Sequence, residues 1–304
     1  MARKKMFQRF GPAIVSALVC AGLSACSPIS APQAQEDSII EGIQVDSAAK
    51  ALLPERYRNG VNVAMTVPDP PMALYGIHND VIGLDPDLAQ ALGKKLGVPF
   101  RIHEQEWVSI VPSLQAGRND IMISNVNDLV PRRAYLKFVD YMNTGFYILV
   151  NKGNPKHINT LIDLCGKKVS VMKATSMFTT LTDAQPMCAD AGRPPITLVE
   201  VPSQNLSLLA MRSGRTDASY SNAPAAIYSA RYGGDGTYFD WVDDPNYPGG
   251  FNQIYVGITT LHKDADLVPA LSAALKSLMD DGTYMKLLEK WDLQSFAISE
   301  PVLH

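Results

Sequence analysis

Two periods of apolar spacing alternate along the chain. VNVAMTV, Val61 to Val67, is a short apolar run of strand length, and DPDLAQALGKKLG then spaces Leu and Ala at helical intervals, with Asp85 as N-cap and Pro86 in the first turn. A strand near Phe100 to His103, a helix from Val108 to Ala116 and a strand at Asp120 to Ser124 follow. Such alternation predicts an α/β fold with mainly parallel strands.

The pattern repeats. SLQAGRNDIMISN, from Ser113 to Asn125, is echoed by AMRSGRTDASYSN, from Ala210 to Asn222, at a constant offset. Gly117 matches Gly214, Asp120 matches Asp217, Ser124 matches Ser221 and Asn125 matches Asn222. Each copy reads as a helix ending at a glycine, a tight turn and a strand finishing in Ser-Asn. The elements before each copy share the same order, so two similar α/β lobes are expected. Ligands of open α/β sheets sit beyond the carboxyl ends of the strands. Two facing lobes therefore direct Ser124 and Asn125, and Ser221 and Asn222, into a shared cleft.

The N-terminus carries a different signal. MARKKMFQRF holds four basic residues and no acid, and the apolar stretch from Gly11 to Leu23 is too short to cross a bilayer. It reads as a signal peptide over residues 1–25. Leu23-Ser24-Ala25-Cys26 resembles a lipobox, so Cys26 is expected to be lipidated; an ordinary cleavage site beside an incidental cysteine is the plainer alternative. Residues 26–45, which continue after Cys26 as SPISAPQAQED, are polar and read as a flexible tether. The mature protein is thus expected outside the cytoplasm, held to a membrane by lipid.

Charge narrows the function. The formal net charge is −3, and it becomes −7 once the four basic residues of the signal region are removed. An acidic body without a basic run is a poor match to nucleic acid. Of four cysteines, Cys165 and Cys188 remain after Cys20 and Cys26 are accounted for, and in an exported chain the pair is most simply a disulfide. The histidines are scattered, with neither HExxH nor CxxC, so no metal is expected.

Several motifs together resemble the polar amino-acid-binding proteins of ABC importers, bacterial extracellular solute-binding proteins of family 3. Gly83-Leu84-Asp85-Pro86-Asp87-Leu88, EWVSIVPSLQAGRNDIMIS, LIDLCGKKVSVMKATS and the closing LKSLMDDGTYMKLLEKWDL carry the likeness, which spans Leu53 to His304. Pro86 departs from the pattern at a position where proline suits a helix start. The resemblance implies a two-lobed type II periplasmic-binding-protein fold with a central cleft and two crossing hinge strands. It places lobe 1 at residues 46–145 and 251–304, and lobe 2 at 146–250. It also implies a monomer that closes on its ligand, uses no cofactor, and delivers the ligand to a permease.

The same resemblance assigns site residues. Arg132 takes the place of the arginine that clasps a ligand's α-carboxylate, a task its planar fork suits. Arg133 is expected to point elsewhere as a solvated charge. Trp107 stands where an aromatic packs on the ligand, although a core tryptophan is the plainer alternative. Ser124, Asn125 and Asn127 are expected to offer polar groups, and Thr175 and Ser176 begin a helix whose free N–H groups favour an anion.

The acids that hold the α-ammonium in the family are missing, with Thr66 and Asn222 in their places. Asp69 is the nearest substitute, or else a turn residue between prolines, and Met72 is expected as an adaptable apolar wall. The ligand is then an amino acid read through Asp69, or a related carboxylate lacking an exposed α-ammonium. Two other functions use the same scaffold: a cyclohexadienyl-dehydratase-like enzyme, for which Glu106 and Glu200 are conceivable acids, and a sensor of ligand occupancy. No Ser-His-acid spacing or Walker loop supports catalysis, and a non-enzymatic binding protein is expected.

Overall fold

Residues 36–242, 247 and 249–304 are described in the computed structural model. The expected signal peptide, Cys26 and the first part of the tether lie outside them. The tether ends sooner than its expected boundary at residue 45. Glu36–Glu41 forms helix α1, and Ile40 and Ile43 are buried against the first lobe. These isoleucines give an otherwise polar stretch an apolar anchor. Helix α2 (Ser47–Ala51) follows, capped by Asp46, whose carboxylate accepts the N–H groups of Ala48 and Ala49.

Lobe 1 is built on β1 (Val61–Met65), buried except at Asn62. A hairpin of β2 (Leu74–Tyr75) and β3 (Val81–Ile82) leads into helix α3 (Leu84–Leu96). Strand β4 (Phe100–Glu104) and, after helix α4 (Trp107–Gln115), strand β5 (Ile121–Met122) flank β1 in parallel. Helix α3 starts two residues earlier than its pattern suggests, because Gly83 rather than Asp85 is the N-cap, at φ 141°. A Cβ there would lie 2.2 Å from the Met72 carbonyl oxygen, so the position admits only glycine. Asp85 is therefore not the cap: it lies inside the first turn and is fully buried.

Long strand β6 (Leu136–Asn151) crosses from lobe 1 to lobe 2. Lobe 2 contributes β7 (Lys168–Met172), helices α5 (Ser176–Asp183) and α6 (Gln185–Asp190), β8 (Thr197–Val201), helix α7 (Gln204–Arg212), β9 (Ala218–Asn222), helix α8 (Ala223–Tyr232) and β10 (Phe239–Trp241). Strand β11 (Phe251–Leu261) returns beside β6, helices α9 (Val268–Asp280) and α10 (Thr283–Lys290) cover lobe 1, and β12 (Val302–Leu303) pairs with β6. The strand order is β4-β1-β5-β11-β6-β9-β7-β8, with β10 and β12 also on β6. β4-β1-β5 in lobe 1 and β9-β7-β8 in lobe 2 pair in parallel, but β6 and β11 are antiparallel to one another and to the strands they join. The expected mainly parallel sheet is therefore two parallel halves joined by an antiparallel spine.

The internal echo is a shared piece of engineering. Asp120 accepts the N–H of Asn62 on β1 at 2.7 Å and returns its own N–H to the Asn62 carbonyl. Asp217 does the same with Lys168 on β7, at 2.9 Å. Each turn passes through a left-handed glycine, Gly117 at φ 67° and Gly214 at φ 72°. In each lobe the device ties the echoed turn to that lobe's first strand, which sets where Ser124-Asn125 and Ser221-Asn222 emerge.

The two acids of the GLDPDL motif have separate tasks. Asp87 pairs with Lys290 at 2.7 Å and accepts the Trp291 indole N–H at 2.7 Å, fastening the closing Lys-Trp to α3. Asp85 accepts the Asn125 N–H at 2.9 Å and the Tyr141 hydroxyl at 2.6 Å, so it holds the end of the echoed strand.

Cys165 and Cys188 are bonded, with S–S 1.98 Å and Cα–Cα 5.5 Å. The bond closes a loop of sequence separation 23 within the lobe 2 core. Replacing both cysteines by alanine is expected to lower unfolding stability by about 3 kcal/mol, from the unfolded-chain entropy the loop removes. Denaturant midpoints for the oxidised protein and the double variant check this; equal midpoints would exclude a stabilising bond.

Candidate functional site

Four helices begin at one cavity of about 200 Å³. Glu106 and Trp107 open α4 in lobe 1; Thr175 and Ser176 open α5, Ser203 and Gln204 open α7, and Asn222 opens α8 in lobe 2. The first N–H groups of each helix lack intrahelical partners and carry the positive end of the helix dipole. The cavity is thus biased toward a ligand with a negative group.

Its walls are polar and under-satisfied. Thr66 Oγ1, Asn125 Oδ1, Asn127 Nδ2, Gln204 Nε2, Ser221 Oγ and Asn222 Oδ1 are buried without a hydrogen-bond partner, and all six residues line the cavity. Buried polar groups are seldom left unpaired, because each costs about 1–3 kcal/mol. Concentrated around one space, they mark where a polar ligand fits.

Arg132 lines the cavity from a 3₁₀ turn, Val130–Ala134. Its Nη1 donates to the Asn127 carbonyl at 2.9 Å, and its guanidinium lies 5.4 Å from the Trp107 ring centroid. Among the described residues it makes no ion pair, and burial lowers its pKa. Arg133 differs from its expected solvated state: it grips both oxygens of buried Asp128, at 2.8 and 2.9 Å. That bidentate pair braces the turn from behind while Arg132 faces the cavity.

Asp69 lines the opposite chemistry. Its carboxylate accepts Asn125 Nδ2 at 3.1 Å, and its backbone forms a bridge with Ala73. Burial pushes its carboxyl up, and the Asn125 hydrogen bond works against that rise. Asn125 sits in the left-handed region at φ 48°, held by the Asp85 carboxylate, so its amide joins the two acids. Asp85 is pushed up to about 7 by burial and by the charge of Asp69.

Other expected site residues divide. Ser124 lines the cavity, but its Oγ is taken by the Thr66 N–H at 2.9 Å. Thr175 caps α5 with its hydroxyl. Ser176 Oγ donates across the cleft to Asn127 Oδ1 at 2.6 Å. Trp107 is half-buried rather than core, and its Nε1 donates to the Ala174 carbonyl of lobe 2 at 3.1 Å. Both bonds join the lobes. Met72 is a correction: it is fully buried beneath α3 and does not line the cavity, because its carbonyl accepts the α3 N-terminus. Apolar lining comes instead from Val67, Pro68, Met172, Met177, Pro202 and Ala225.

Sequence reasoning missed Gln204 and Met177. The echo contained the signal for Gln204. Its offset is 210 − 113 = 97 positions, and 107 + 97 = 204 makes Gln204 the counterpart of Trp107. Glu200 is exposed on β8, away from the cavity lining, and Glu106 is exposed at the mouth. Neither is the buried acid that such a dehydration needs.

A second acid cluster lies behind the site. Asp128, Asp140 and His304 bring ligand atoms within 4.8 Å of one another, with His304 Nδ1 2.7 Å from Asp128 and 3.2 Å from Asp140. Arg133 already holds both Asp128 oxygens, so we read the cluster as a buried ion-pair network. Burial and the charge of Asp128 push Asp140 up to about 8. Between its ordinary value of 3.8 and 8, the native state keeps a proton that the unfolded chain releases. Stability is therefore expected to fall as pH rises through that window, by at most about 1.4 kcal/mol per pH unit for one proton. Urea unfolding from pH 5 to 8 tests this: Asp140→Asn should flatten the slope, and parallel curves for the two proteins would count against it.

Known proteins resemble the chain in sequence and in fold. The chain is 27% identical over 263 residues to the arginine-binding protein ArgT of Corynebacterium glutamicum, covering 84% of this chain and 82% of that one. It is 26% identical over 259 residues to the lysine/arginine/ornithine-binding periplasmic protein of Escherichia coli, covering 84% and 94%. The structure of an ancestral arginine-binding protein bound to arginine superposes with a TM-score of 0.68 at 27% identity, covering 77% of this chain and 98% of that one. Residues 61–294 match one family along nearly all of the two lobes, and the chain belongs to the bacterial extracellular solute-binding proteins, family 3.

Proposed function

We propose that this protein is the extracytoplasmic amino-acid-binding component of an ABC importer. It captures its ligand between two closing lobes and presents it to a permease. The observation that carries the reading is Arg132, a half-buried guanidinium without an ion-pair partner among the described residues, facing a cavity of unpaired polar atoms. The relatives, named for amino acids, agree with it.

Arg132 and the N-terminus of α5 receive the α-carboxylate. Asp69, with Asn222 Oδ1 beside the cavity, receives the α-ammonium in place of the absent acids. A ligand touching both lobes favours the closed state by its extra contacts there. The Trp107–Ala174 and Asn127–Ser176 bonds add ligand-independent contacts to that state. Lipidation at Cys26 completes the proposal by keeping the protein near its permease.

A thermal-shift screen of the soluble body against L-amino acids, N-acylated and betaine forms and simple carboxylates tests it. Saturation at a hundred times Kd adds about 2.7 kcal/mol. Stabilisation by free amino acids is the expected result. Stabilisation only by ligands without a carboxylate would overturn the Arg132 assignment.

A further inference from the structure

We propose that Gln204 reads a hydrogen-bond acceptor on the ligand's side chain, so that this protein prefers an amino acid ending in a carboxamide or similar carbonyl group over one with a cationic or purely apolar side chain. This rests on the amino-acid reading above. Gln204 is 5% exposed, lines the cavity, and its Nε2 has no partner. It is the first residue of α7, a nine-residue helix capped by Ser203. The unpaired amide donor and the free N–H groups of that first turn both call for an acceptor.

Arg132 and the N-terminus of α5 serve the α-carboxylate, while Asp69 and Asn222 Oδ1 accept from the ammonium. Two amide donors are left over, Asn127 Nδ2 in lobe 1 and Gln204 Nε2 in lobe 2, and Gln204, as the counterpart of Trp107 in the echo, comes from the matching helix start of the opposite lobe. Trp107 offers a face to the ligand side chain, and Gln204 a donor. A lysine or arginine side chain presents only donors and would leave the Gln204 N–H unpaired; a methionine of glutamine's length presents only a weak acceptor. A site built around an unpaired donor discriminates against such ligands strongly. A neutral carbonyl also avoids adding a second ligand carboxylate to a cavity that already contains Asp69.

Isothermal titration with L-glutamine, L-methionine, L-lysine and L-arginine tests this on the wild-type protein, Gln204→Leu and Gln204→Glu. Glutamine is expected to bind at least tenfold more tightly than the other three. Gln204→Leu should erase its advantage over methionine while leaving methionine binding within about threefold. Gln204→Glu, which exchanges a donor for an acceptor at the same length, should reverse the order of glutamine and lysine. Tighter binding of arginine or lysine by the wild type, or an equal loss of glutamine and methionine in Gln204→Leu, overturns the role of Gln204 and leaves the amino-acid reading standing. Binding of none of the four, nor of any other free amino acid, overturns both.

Discussion

Replacing Arg132 by methionine is expected to weaken capture of a carboxylate ligand by hundreds- to thousands-fold while leaving the unliganded protein at least as stable. The two effects have one cause. Arg132 is half-buried without an ion-pair partner among the described residues, so its guanidinium carries a desolvation cost that a ligand carboxylate, closing over it, relieves. Removing one member of such a pair typically costs about 3 to 5 kcal/mol of binding. In the empty protein, methionine keeps much of the apolar contact with Trp107 and removes the unpaired charge. It also gives up the 2.9 Å bond to the Asn127 carbonyl, a modest loss beside the charge. Arg132→Lys should fall between the two, because lysine restores charge without the bidentate fork. Melting temperatures with and without ligand separate the effects. A variant that retains its ligand-induced shift would move the carboxylate contact elsewhere, whereas one that melts far lower when empty would make Arg132 a structural residue.

Much of this was legible in the sequence because the fold reuses local devices. The Gly-Arg-x-Asp turns announced two lobes, and the structure shows why both keep the aspartate: Asp120 and Asp217 each tie the turn to a first strand. The place of Asn125 beside the cavity was legible through the echo, and that of Arg132 only through the family resemblance. Met72 was not, since a loop residue following two prolines looks the same whether it faces a cleft or a core. Its fate is decided by Gly83, which lets the start of α3 settle on the Met72 carbonyl. Arg133 was misread for a similar reason, because its partner Asp128 looks like any polar loop residue until the 3₁₀ turn folds back on it. Asp85 looked like a helix cap because its neighbours suit one. Its burial with Tyr141 and Asn125 depends on contacts 56 and 40 residues away. Sequence pattern reports local geometry well, and such distant pairings only through motifs that repeat.

Asp69 gives the second large expectation, and it couples charge to acidity. Asp69→Asn is expected to weaken binding of free α-amino acids by hundreds-fold, with little effect on N-acylated analogues. Burial holds the empty Asp69 carboxyl above its ordinary range, so an arriving ammonium must draw it back to the charged form. Binding therefore releases protons, and affinity is expected to fall as pH is lowered through the raised pKa of Asp69. The Asp69 charge also raises the carboxyl of Asp85, which Asn125 joins to it. Arg132 stays charged across this range, so it does not supply the same dependence. In Asp69→Asn the acid-side loss of affinity should largely disappear, while the asparagine oxygen can still accept the Asn125 amide and preserve the wall. Titration calorimetry of glycine and N-acetylglycine from pH 5 to 8, in buffers of different ionisation enthalpy, reads both the affinity and the proton release. If the variant binds glycine as tightly as the wild type, with the same pH profile, the ammonium lies against Asn222 and Asp69 is a turn residue. If neither protein binds glycine but both bind the acetylated form, the uncharged Thr66 and Asn222 mark a ligand that brings no ammonium into the cleft.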